Sequence, residues 1–101
     1  MSVRKIDAVF FSDPGHGWYA VDVDELRKYG VVQKISAFSY YDEKHGLVYL
    51  EEDCDVVVFE SAVRAAGHEL VIHDRKPAVG DSFVRRLPYY SAQVVQGLAS
   101  Y

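Results

Sequence analysis

Residues 12–17, SDPGHG, constrain the fold more than any other stretch, because turn formers this dense force the chain to reverse. Pro14 presets φ for a turn, and Gly15 and Gly17 can take the positive φ that other residues avoid. β-prone runs lie on either side. KIDAVFF (5–11) alternates around Ile6, Ala8 and Phe10, and WYAV (18–21) is aromatic and β-branched. Residues 5–21 are therefore expected to form a hairpin.

The same punctuation recurs along the chain. Asp22 reads as a helix N-cap with Glu25 completing a capping box, Val23, Leu26 and Tyr29 form a narrow apolar stripe, and Gly30 stops the helix. ISAFSYYD (35–42), the turn EKHG and LVYLE (47–51) read as a second hairpin. Asp53 or Asp55 is expected to cap a longer helix, CDVVVFESAVRAA, which buries Phe59, Ala62, Val63 and Ala66 and ends at Gly67. ELVIH (69–73) follows as a strand, RKPAVGD (75–81) as a loop, and SFVRRL (82–87) as a last strand stopped by Pro88. The expected fold is α+β, a mostly antiparallel sheet of four to six strands with two helices on one face. If residues 18–21 did not pair, the order would become the ferredoxin-like βαββαβ. One domain is expected over residues 1–90. The tail 91–101 reads as a short helix, a frayed end or an arm on a second subunit in a homodimer.

Composition narrows the classes of function. With half of its residues apolar and 14% aromatic, the chain is too hydrophobic to be disordered. A net charge of −4 argues against a dedicated nucleic-acid backbone binder. The charge is uneven: residues 1–60 hold twelve acidic groups against six basic, and residues 61–101 three against five. A lone cysteine excludes an intrachain disulfide and a cysteine-built zinc site, and fits a reducing cytoplasm. The alternating first ten residues and the lack of a long apolar run predict neither a signal peptide nor a membrane span.

Candidate chemistry gathers in two places. Gly15-His16-Gly17-Trp18-Tyr19-Ala20 matches G-x-G-x-x-A, but the next helix cap is Asp22, too late to aim an N-terminus at a pyrophosphate. The loop reads better as a binding tip, in which His16 offers a titratable ring and Trp18 an amphipathic one to a partner. In the competing reading, Asp13 closes an Asx-turn and Trp18 fills the core. The run Glu51-Glu52-Asp53-Cys54-Asp55 lacks the spacing of a calcium loop, and carboxylates in a first helical turn complement its free N–H groups. Facing outward, Glu51, Glu52 and Asp53 would instead form an acidic patch for a basic partner. Cys54 between carboxylates reads as a small core residue, not a reactive thiolate. Phe38, Tyr40 and Tyr49 could stack bases only in a basic frame, and here the frame is acidic. No catalytic signature, cofactor or metal site is expected from these patterns.

Three motifs in order, SDPGHGW, ISAFSY and YLEEDCD followed by a Phe-bearing helix, resemble those of small proteins encoded by phages, prophages and plasmids. The resemblance spans about residues 6–73; the group's Arg/Tyr-rich ending is echoed only by Arg85, Arg86, Tyr89 and Tyr90. The group has no assigned activity, so the resemblance implies a mobile-element accessory role in the host bacterial cytoplasm and supplies no catalytic residues. The expected function is non-enzymatic: binding and modulating a host protein, including inhibition of a bacterial defence system. Asp13, His16, Trp18, Glu51, Glu52 and Asp53 are the expected partner-binding residues. Two alternatives stand beside it: an enzyme or ligand-binding domain using Asp13 and His16, and a nucleic-acid-associated protein using the basic C-terminal end.

Overall fold

The computed structural model describes residues 2–97. The first hairpin forms as the turn cluster demands: β1 (Lys5–Ser12) pairs antiparallel with β2 (Gly17–Asp22), in a register that sets Phe11 opposite Trp18. β2 also pairs with β4 (Leu47–Glu51), which pairs with the short β3 (Tyr40–Asp42). Because residues 18–21 pair on both sides, the ferredoxin-like order is not adopted. β5 (Glu69–Asp74) lies parallel to β1 and closes a sheet of order β3-β4-β2-β1-β5.

Helices cover one face of this sheet. α1 (Val23–Lys28) is capped by the Asp22 carboxylate, which accepts from the Asp24 N–H at 2.8 Å. Glu25 does not close a capping box with it but pairs with Arg4 at 2.9 Å. α2 (Asp55–Ala65) carries the chain from β4 to β5 and buries Val56, Phe59 and Val63 against Ile6, Ala8, Val48 and Leu50. Gly30 and Gly67, at φ of 68° and 80°, end the two helices as expected. No helix among the described residues is long and apolar enough to cross a membrane.

The opposite face is not left to solvent. Trp18, Ala20 and Tyr49 pack there under Val84, with Val9, Phe11, Leu47 and Leu87 at the margins. The cover comes from residues 82–87, expected as a strand but found as a 3-10 helix over Phe83–Arg86, capped by the Ser82 hydroxyl. The segment is held over the sheet face by burial of Val84 and by the Ser82 N–H and Arg85, both drawn to Asp13, contacts that a strand along a sheet edge would forgo.

A second difference concerns residues 35–42, expected as one long strand. Only Tyr40–Asp42 pairs in the sheet, because Ser36 and Ser39 turn inward to Asp55. Asp55 is 3% exposed; it accepts from the Ser36 N–H and from both serine hydroxyls, the Ser36 contact at 2.7 Å and the Ser39 contact at 2.6 Å. The Ser39 oxygen in turn accepts from the Glu51 N–H at 2.9 Å. Asp55 therefore does not cap α2. The helix begins after Cys54, which is exposed, not in the core.

The chain then returns along β3. Tyr41 N–H donates to the Pro88 carbonyl at 2.9 Å and Tyr90 N–H to that of Ser39 at 2.8 Å, so residues 88–90 cover the β3 edge. In the tail, Ser91 caps a short α3 (Ala92–Val95) whose Val95 is buried on the same core. Leu98 and Tyr101 of the expected arm lie outside the described residues.

Candidate functional site

The SDPGHGW loop is built around one carboxylate. Asp13 accepts from the N–H groups of Gly15 (2.9 Å) and His16 (3.1 Å), which is the Asx-turn its sequence suggested. It also accepts from the Ser82 N–H at 2.9 Å, and from Arg85 through Nε (2.6 Å) and Nη2 (2.9 Å). With its side chain 1% exposed, Asp13 is the rivet between the first turn and the 3-10 lid. The Arg85 contact, followed by the Ser82 N–H, holds its carboxyl well below the usual carboxylate range, and Asp13 in turn raises the Arg85 guanidinium.

Neither glycine of the loop takes positive φ. They are needed for close approach instead: a Cβ on Gly17 would stand 2.5 Å from the Phe10 ring, and one on Gly15 2.8 Å from Arg85.

Arg85 bridges to the groove beside this rivet. Its guanidinium carbon lies 5.3 Å from the centre of the Trp18 ring, a cation–π contact. Trp18 itself is 2% exposed, so it forms floor, not tip. Around it opens a groove of about 410 Å³ lined also by Tyr40 and His16. Phe38 and Tyr89 stand at the mouth, 74% and 69% exposed, and Tyr89 stacks on Tyr40 at 5.4 Å. The same two rings line a neighbouring apolar hollow of about 310 Å³, so they form a ridge between two depressions.

The acidic wall of the groove is Glu51 and Asp53. Glu51 accepts from the N–H groups of Asp53 (3.1 Å) and Cys54 (2.9 Å), fixing the turn into α2. Its charge, with burial and the neighbouring Asp55 and Asp53, pushes the Cys54 thiol up, away from nucleophilic thiolate chemistry. Among the described residues no three His, Cys, Asp or Glu side chains are placed to hold a metal ion.

Of the six residues expected to bind a partner, His16, Trp18, Glu51 and Asp53 converge on the groove. Asp13 lies behind it, and Glu52 comes close to Gly17 and, second to burial, pushes up the Tyr19 hydroxyl on the helix-covered side. Sequence reasoning missed Phe38, Tyr40, Arg85 and Tyr89 as parts of one site. Their separation of up to 51 positions left no local spacing to read, although Tyr89 and Tyr90 stand out as a pair after Pro88. The basic C-terminal end is partly committed: Arg85 to Asp13 and Arg64 to Glu60. In comparisons with known proteins, no family model, no curated protein and no solved structure matches this chain.

Proposed function

We propose that this chain is a non-enzymatic accessory protein of a phage or other mobile element, acting in the bacterial cytoplasm by binding a host protein in the groove. The observation that carries the reading is the exposure of Phe38 and Tyr89, two large rings held at the mouth of a concave, acidic-walled surface. Exposed aromatics over a preformed hollow are what interface anchors require, because they bury much area at low conformational cost. Arg85 is neutralised by Asp13, so Glu51 and Asp53 set the charge and select a basic segment of the partner. An enzyme built on Asp13 and His16 fits less well, since five donors already engage the Asp13 carboxylate. Inhibition of a defence system is the role suggested by the resemblance of the three motifs to phage-encoded proteins.

The test is capture from a bacterial lysate on immobilised protein, with Phe38→Ala and Asp53→Lys as parallel baits. A host protein retained by the wild type and lost from both variants supports the reading. A host protein held equally by all three, or nucleic acid retained through high salt, contradicts it.

A further inference from the structure

The two edges of the sheet are treated differently. Residues 88–90 cover the β3 edge, whereas β5 ends the sheet on the other side. Glu69 N–H donates to the Arg4 carbonyl and Arg75 N–H to that of Phe10, which sets the odd-numbered residues toward β1. The backbone groups of Leu70, Ile72 and Asp74 therefore point away from the sheet. The strand contains no proline and no bulge to guard its open edge, its carboxylates Glu69 and Asp74 stand at its two ends, and Ile72 between them is 42% exposed beside Ala8.

We infer that β5 pairs with β5 of a second copy of this chain, antiparallel about a two-fold axis at Ile72, joining the two sheets into one. In that register Ile72 faces its own counterpart, and Leu70 faces Asp74. The three outward residues of each strand exchange backbone hydrogen bonds in the narrow-pair pattern. Glu69 falls opposite Arg75 of the second copy, twice by symmetry, and neither side chain makes a hydrogen bond or ion pair among the described residues. This self-complementary charge pattern commits the edge to an identical strand over an unrelated one. The surface is separate from the groove, so the dimer stands or falls independently of the proposed function.

The experiment is sedimentation equilibrium of the full chain, wild type against Arg75→Glu, Ile72→Lys and the double swap Glu69→Arg/Arg75→Glu. The wild type is expected to dimerise. Arg75→Glu, which sets like charges opposite each other, and Ile72→Lys, which sets two lysines across the axis, should each weaken it by about tenfold or more. The double swap should recover most of the loss. Circular dichroism of each variant separates lost association from lost folding, including any effect of Glu69→Arg beside Lys5 in the double swap. A wild type monomeric to millimolar concentration, or a dimer that neither single variant weakens, overturns the inference.

Discussion

One buried carboxylate, that of Asp13, ties the first turn to the 3-10 lid through five donors. Its Asx-turn was legible because the partners sit two and three positions on. Its ion pair was not, because Arg85 lies 72 positions away in a segment that reads as a strand. The pair has a pH signature. Since the folded-state pKa is depressed, the stabilisation is fully present above the ordinary aspartate value of 3.8 and fades as pH falls below it. Asp13→Asn should therefore melt well below the wild type at pH 7, and the gap should narrow in melts taken at progressively lower pH below that value. A gap that widens on acidification would refute the ion-pair account. The neighbouring ring behaves differently. His16 is exposed and lines the groove, so His16→Ala should change stability by no more than about 0.5 kcal/mol, whereas Trp18→Ala should lose about 3–5 kcal/mol in urea unfolding.

At the scale of elements, the hairpins, both helices and their terminal glycines follow from local pattern alone. The failures fall where a long-range polar contact overrides propensity. ISAFSYYD has β-forming residues throughout, yet Ser36 and Ser39 are drawn to Asp55 on α2, and the strand shrinks to Tyr40–Asp42. That network also joins the ISAFSY and YLEEDCD motifs into one structural unit, and its bend is what turns Phe38 outward. Asp55→Ala would strand two hydroxyls and an N–H, a loss of about 3 kcal/mol. Chemical denaturation measures that directly, and a variant as stable as the wild type would show the network to be incidental. If the network also holds the ridge, the same variant binds the groove partner more weakly at temperatures where it remains folded.

Across the whole molecule, the groove belongs to no single element. The first turn supplies His16, the 36–39 bend Phe38, the turn before α2 Glu51 and Asp53, and the C-terminal return Arg85 and Tyr89. Four separate segments meet there, which is why His16, Trp18, Glu51 and Asp53 were legible as candidates and their union with Phe38, Arg85 and Tyr89 was not. Of the basic residues in 61–101, Arg85 reaches the groove but brings it no net positive charge, because Asp13 neutralises it where it lands. In the proposed function, the aromatic ridge of Phe38 and Tyr89, and not the SDPGHGW loop, recognises the partner. Isothermal titration of the captured host protein against Phe38→Ala/Tyr89→Ala, with Ile72→Lys as a control remote from the groove, tests this most directly. The double variant is expected to lose at least about 2 kcal/mol of binding, roughly thirtyfold, with its melting temperature little changed and the Ile72 variant unaffected. An affinity for the double variant equal to that of the wild type would contradict it.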